Sequence, residues 1–255
     1  MKKSSLLCIA LAALILTCFV GCKKNEICLK CIPPDLTDTK ILRYYGDLYS
    51  DSIRLMGTVN YNKFGDPVSI LKNGGAGTGN PNCFFWYDNK RRLSDYIGFY
   101  NNNVGYEFWH RYYYDNKDRI VLDSMYVFGF MKDNKPNKIA DRRITYKYDD
   151  MDRMSQLTVT ESFGNYTWTQ DFAYDERGNL QTFGPLQYDN KYNPHLLHKI
   201  WQFIEQDYSI NNPVDASRPI TYNAKGFPTS YATRSGFPSF LGQIAGARVK
   251  IDYSK

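Results

Sequence analysis

The chain has little of what a catalytic site is usually built from. It holds three histidines in 255 residues, His110, His195 and His198. No serine sits in a GxSxG context, so the strand-turn-helix nucleophile of many hydrolases has no local signature. The glycine-rich stretch Gly74-Gly75-Ala76-Gly77-Thr78-Gly79 is not followed by Lys-Ser or Lys-Thr, which makes it a loop rather than a phosphate cradle. Long apolar runs are also scarce. The best, Leu6 to Val20, falls short of the ~20 residues a membrane-spanning helix needs. Basic clusters are missing: Lys and Arg outnumber Asp and Glu only 32 to 26 and are scattered among turns, which argues against a nucleic-acid partner. No cofactor motif is present.

Cysteine is sparse as well. Of six, Cys8 and Cys18 lie in the N-terminal apolar run. Cys28-Leu-Lys-Cys31 has CxxC spacing, open to a redox pair, half a zinc site or a small disulfide loop. No second CxxC or histidine pair stands near it, and a passive tether with an optional disulfide is the preferred reading. Cys83 stands alone.

The N-terminus reads as a targeting signal. Lys2 and Lys3 precede the apolar run, which closes on Phe19-Val20-Gly21-Cys22. A small residue just before Cys at the end of such a run resembles the lipobox of bacterial lipoproteins. That resemblance implies cleavage after Gly21 and lipid attachment at Cys22. Residues 1–21 are then signal peptide, 22–40 a flexible tether through Pro33-Pro34, and 41–255 the folded domain. The absence of Asp after Cys22 implies, by analogy with lipoprotein sorting, an outer-membrane location. Contact with the membrane is through the lipid anchor alone.

What the chain has in abundance is tyrosine, 22 residues, within 16% aromatics. Much of it falls in one recurring pattern. Tyr followed by Asp or Asn occurs at Tyr61, Tyr87, Tyr114, Tyr148, Tyr174, Tyr188 and Tyr222. An Asx side chain after Tyr can accept backbone N–H bonds two residues on and close a turn. Four residues after Tyr come Gly65, Arg91, Asp118, Asp152, Gly178, Tyr192 and Gly226, mostly types that tolerate a left-handed backbone. Six residues after Tyr the chain returns apolar or as Pro. Each copy therefore predicts a β-hairpin turn. Val59, Phe85, Tyr112, Tyr146, Phe172 and Ile220, two residues before six of the seven tyrosines, share their face of the sheet. From Tyr166 to Tyr174 the alternation predicts Tyr166, Trp168, Phe172 and Tyr174 on a buried face. Second turns fall at 101–105, 133–137 and 163–165. The fold class is all-β, an antiparallel meander forming a curved sheet or barrel-like shell.

One segment departs from period two. Asn193-Pro194 is a helix start, and Leu196, Leu197, Ile200, Trp201, Phe203 and Ile204 recur at helical spacing. A short amphipathic helix is predicted over 194–206, lying on an end or open face of the sheet. His195 and His198 have metal-compatible spacing, but they share the polar side with Lys199 and Gln202 and read as solvated. Asp149, Asp150 and Asp152 read as turn caps rather than a calcium loop. Arg248 to Tyr253 alternates and predicts the closing strand.

These turns resemble YD repeats, the unit of RHS and teneurin-type shells, best in Tyr148-Asp149…Asp152-Arg153-Met154 and Tyr174-Asp175…Gly178-Asn179-Leu180. With the lipobox and the Tyr188–Pro194 segment, the whole resembles a group of small Gram-negative lipoproteins of unknown function whose domain is described as porin-like. The resemblance covers roughly residues 52–253 and implies no catalytic residue.

The candidate ligand-binding residues are Trp86, Trp109 and Tyr113 with Arg111. Parity places the three rings on the wetter face in neighbouring strands, where an exposed aromatic row could stack on a glycan or take a protein partner. A binding protein predicts these rings exposed. A structural envelope protein predicts them buried. An enzyme predicts clustered acids or histidines in a deep pocket.

Overall fold

A computed structural model describes residues 38–47, 52–101, 103–164, 166–181, 187–214, 219–232 and 248–254. The signal, most of the tether, Cys22, Cys28 and Cys31 lie outside them. The strands are β1 (Ile41–Gly46), β2 (Arg54–Tyr61), β3 (Pro67–Lys72), β4 (Asn82–Tyr87), β5 (Leu93–Phe99), β6 (Gly105–Tyr114), β7 (Ile120–Lys132), β8 (Lys135–Pro136), β9 (Arg142–Tyr148), β10 (Met154–Glu161), β11 (Thr167–Asp171), β12 (Thr221–Tyr222), β13 (Pro228–Ala232) and β14 (Arg248–Tyr253). All belong to one antiparallel sheet, in the order β11-β10-β9-β7-β6-β5-β4-β3-β2-β1-β14-β13-β12, with the short β8 on β7. The path has two ends, so the sheet is not closed. The last strand pairs beside the first, Tyr44 opposite Ile251.

The turns follow from their own side chains. In the third copy, Asp115 Oδ1 accepts from the Lys117 and Arg119 amides at 2.9 and 3.0 Å. The same pair of bonds recurs at Asn62, Asp88, Asp149, Asp175 and Asn223. The residue four after Tyr has positive φ at Gly65, Arg91, Asp118, Asp152, Gly178 and Gly226. The Arg119 amide and guanidinium hold the Asp115 carboxyl below its usual range.

The repeats are also locked to one another. Five motif tyrosines donate their hydroxyl to a carbonyl beside the preceding turn: Tyr87 to Pro67 (2.5 Å), Tyr114 to Leu93 (2.7 Å), Tyr148 to Ile120 (2.7 Å), Tyr174 to Met154 (3.0 Å) and Tyr188 to Leu180. In each case the acceptor lies six residues after the previous motif tyrosine. Arg92, Arg119 and Arg153 pair with their own turn's Asp and lie 4.2–5.1 Å from the next repeat's Tyr ring. Arg92 also reaches Asp118, and Arg119 reaches Asp152. Asp149 caps and Asp152 pairs, which accounts for two of the three clustered acids.

The Tyr188 copy is not a hairpin. Asp189 takes the Lys191 amide but then accepts from Asn212, 23 residues on, and its own amide donates to the Asn212 carbonyl. The inserted segment returns to occupy the place of a second strand.

That insert is a 3₁₀ turn (Pro194–Leu197) followed by α1 (Lys199–Ile204), shorter than the single helix expected. Asn193 caps the turn as the sequence predicts. His198 then takes extended backbone, and its Nδ1 accepts the Ile200 amide as a second N-cap. A capping side chain competes with continuous helix, so the element stops and restarts. Ile200, Trp201 and Phe203 are buried against the tyrosine face. Trp201 meets Phe85 edge-on at 5.6 Å, and Phe203 meets Tyr112 and Tyr146 at 5.3 and 5.0 Å. These are residues two before a motif tyrosine.

Two sequence expectations fail here. His195 and Gln202 are buried rather than solvated. His195 Nδ1 lies 3.4 Å from Asp207 Oδ2. The chain leaving α1 folds back over its polar side, which helical spacing cannot reveal. Tyr166 and Trp168 are exposed, Trp168 at 39%. Strand β11 pairs on one side only, and the aromatic contacts of α1 reach no further than β9.

Glycines opposite aromatics set the spacing on the sheet. Gly98 pairs with Phe108, and a Cβ on Gly98 would lie 2.5 Å from the Phe108 ring. That ring is itself packed on Tyr96 and His110 and cannot withdraw. Alanine normally gains ~0.5–1 kcal/mol over glycine in a strand. Gly98→Ala is expected instead to lose about 1–3 kcal/mol by overpacking. A shift of the urea midpoint to higher concentration would show the space to be free.

Candidate functional site

Strands β4 to β7 carry a second hydrophobic cluster on the face away from α1. Ile97, Phe99, Tyr106 and Trp109 form it, with Phe84, Trp86, Tyr126 and Met131 packed around. Trp109 is its centre. It stands between Ile97 and Tyr126 across the strands and meets Trp86, Tyr106 and Phe99 edge-on at 5.2, 5.6 and 5.9 Å. Its exposure is 0%.

The structure therefore corrects the exposed aromatic row. Parity assigns Trp109 to the right face, but its neighbours on that face are also aromatic and close over it. The signal is in the sequence. Strand β4, NCFFWY, carries Phe84 and Trp86 on one parity and Cys83, Phe85 and Tyr87 on the other, the mark of a sheet covered on two sides. Trp86 is half-buried. Tyr113 is 46% exposed.

Arg111 shares this face two residues before Tyr113 on β6, its guanidinium 5.6 Å from the centre of the Trp109 ring. Its Nε donates to Asp95 Oδ1 at 2.8 Å, and the same oxygen accepts the Trp109 indole N–H at 2.6 Å. Asp95 is buried, so the guanidinium is held by a carboxylate that is itself fixed by the buried indole. Trp86 faces Asp95 across the ladder, and Asp95 faces Arg111. The surface thus offers one pinned guanidinium flanked by a half-buried indole and an exposed phenol.

His110 is on the tyrosine face. Its ring is stacked between Tyr96 and Tyr112 at 5.8 and 6.1 Å, and Nδ1 lies 2.6 Å from Asp123 Oδ2. Asp123 is buried, and Tyr146 Oη also reaches it at 3.4 Å. The pair is built into the core under α1. Cys83 is a buried free thiol in the same core, and burial pushes its pKa up, away from the reactive thiolate. Among the described residues no group of three or more His, Cys, Asp or Glu is placed to hold a metal ion.

The sequence gives no hint of a second place. A cleft of about 340 Å³ opens beside the first turn, lined in part by Lys40, Lys63, Asp66, His198 and Trp201. Asp66 and His198 are 132 residues apart and meet only because α1 rests on the sheet. His198 Nε2 is 3.5 Å from Asp66 Oδ1, and Arg91 forks onto the same carboxylate at 2.9–3.3 Å. Burial alone would raise the Asp66 pKa, but Arg91, Asn62 and His198 together hold it below the usual range.

No protein-family model matches the chain, and no curated protein matches it. Among solved structures it is similar to the Tc holotoxin pore of Photorhabdus luminescens carrying a mutated TccC3, at 11% identity and TM-score 0.26 over 72% of this chain. It is also similar to TcdB2–TccC3 without its hypervariable C-terminal region, at 10% identity and TM-score 0.29 over 76%. The chain spans about a tenth of the length of each, 10% and 11%.

Proposed function

We propose that the chain is a lipid-anchored, non-enzymatic lipoprotein of the outer membrane, tethered through Cys22, and that the face around Arg111 binds a glycan. The Arg111–Asp95 pair between Trp86 and Tyr113 carries this reading. Sugar rings present C–H faces that stack on aromatics and hydroxyls that take charge-assisted hydrogen bonds. A guanidinium already fixed by Asp95 loses little freedom on binding, which favours affinity. Trp109 is the support under this surface rather than a contact.

The test is retention of the full chain on a glycan array. Tyr113→Ala combined with Arg111→Lys removes the exposed ring and the guanidinium fork but keeps charge and core. Signal is expected to fall at least about tenfold, the cost of one or two charge-assisted contacts, with native far-UV circular dichroism and a loss of stability no larger than the ~1–3 kcal/mol of the one donor taken from Asp95. Equal retention by this variant sinks the glycan reading. A second reading, a structural envelope component, draws on the burial of Trp109. It expects no glycan retained by wild type.

A further inference from the structure

The cleft beside the first turn holds cationic groups left over from the ion-pair ladder. Along the turn row four arginines are ion-paired, Arg91 to Asp66, Arg92 to Asp88 and Asp118, Arg119 to Asp115 and Asp152, Arg153 to Asp149, and Arg177 is held by the Tyr188 and Asp189 carbonyls and the Asn211 side chain. Lys40 and Lys63 have no carboxylate partner among the described residues. Lys40 Nζ lies 5.5 Å from the Tyr61 ring centre, and Lys63 Nζ 4.9 Å from that of Phe64. Aromatic faces orient both ammonium groups without neutralising them. A third ammonium, Lys225, is bonded at 3.0 Å to Thr39 in the cleft wall.

The other polar groups of the wall are spoken for. Asp66 is saturated by Arg91, Asn62 and His198. Tyr61 Oη donates to the Ile41 carbonyl. His198 uses Nδ1 to accept the Ile200 amide, so Nε2 carries the hydrogen directed at Asp66. Burial lowers the His198 pKa despite that carboxylate, so the imidazole adds no charge at neutral pH. The remaining acid in the lining, Asp38, is exposed. Asp38 and Lys63 are both exposed and Lys40 is half-buried, so the uncommitted groups of the lining are two ammonium groups against one carboxylate, a net positive charge. The volume, about 340 Å³, sits at the small end of ligand pockets, which run from roughly 300 to 1,000 Å³.

We infer that this cleft is a binding site for a small organic anion, a sugar-sized molecule bearing one carboxylate or phosphate, held between Lys40 and Lys63 over the Trp201 wall. The site lies on the tyrosine face near the turn row, apart from the Arg111 surface on the opposite face, and does not depend on the glycan reading.

The experiment is titration calorimetry of the full chain with three probes on one ring: D-glucuronate, D-glucose 6-phosphate and neutral D-glucose. Saturable binding of one or both anions, with glucose silent, is expected. The preferred anion separates carboxylate from phosphate. In Lys40→Gln with Lys63→Gln the affinity for that anion is expected to fall at least about tenfold, the scale of one lost charge-assisted bond. The thermal midpoint should fall only slightly, because the lysines carry no ion pair and lose only their contacts with the Tyr61 and Phe64 rings. Three results would overturn the inference: glucose binding as well as the anions, the double variant binding like wild type, or no anion binding at millimolar concentration. The Tyr113/Arg111 variant serves as the internal control. It should bind the anion normally, so that loss of glycan retention and loss of the cleft are read separately.

Discussion

Trp109→Ala is expected to lower the free energy of unfolding by about 3–5 kcal/mol, the range for deleting a large buried aromatic. The loss has two parts. The indole fills the centre of the second-face cluster with no exposure, so its removal leaves a cavity bounded by strands β5, β6 and β7. Its N–H also holds Asp95. A buried carboxylate that loses a donor costs about 1–3 kcal/mol, partly offset because Arg111 stays on the same oxygen. Trp109→Phe separates the parts, since it keeps most of the packing and removes only the donor. Urea unfolding followed by far-UV circular dichroism measures both. A midpoint for the alanine variant within error of wild type would mean that this face has no core. The substitution also makes a poor binding test. Loss of glycan retention by Trp109→Ala would report a disordered surface, which is why Tyr113 and Arg111 are the informative positions.

Trp201→Ala should cost a similar amount, about 3–5 kcal/mol, with a wider structural effect. Helix α1 has six residues, far below the ~12–15 at which an isolated helix is even marginal in water. It is helical because Ile200, Trp201 and Phe203 are buried against the sheet. Trp201 is the largest of these and meets Phe85 on β4, while Phe203 meets Tyr112 and Tyr146 on β6 and β9. Losing the indole unseats the helix and uncovers the middle of the tyrosine face. Hydrogen exchange gives the readout. Amides from 200 to 205 should lose protection together, while those of the Asp115 and Asp149 turns keep theirs, because their acceptors are in the same turn. Unchanged protection in α1 would show that the helix is held by its caps instead. Trp201 also lines the cleft, so this variant should bind the small anion weakly as well.

The turns were legible because everything they need lies within five residues. An Asx oxygen, two amides and one left-handed position are consecutive in the chain, and six of seven copies close as expected. The seventh fails where a distant segment supplies a better partner. Asn212 takes the Asp189 cap, and no rule of local spacing contains it. Helix existence was legible from the Asn193-Pro194 start and the apolar period. Its interruption at His198 depends on one ring finding one amide.

The sequence by itself determined the all-β class, the hairpin turns, the tyrosine face and the place of the helix. Each follows from side-chain alternation or from bonds within a few residues. Only the tertiary structure decided what covers each face. Strand parity says which way Trp109 points, but burial depends on whether Trp86, Phe99, Tyr106 and Tyr126 close over it. It also decided that His195 meets Asp207, that Asp66 meets His198 beside two uncommitted lysines, and that β14 pairs with β1. Those contacts join residues 12 to more than 200 positions apart, and sequence spacing carries no distance information across a folded chain.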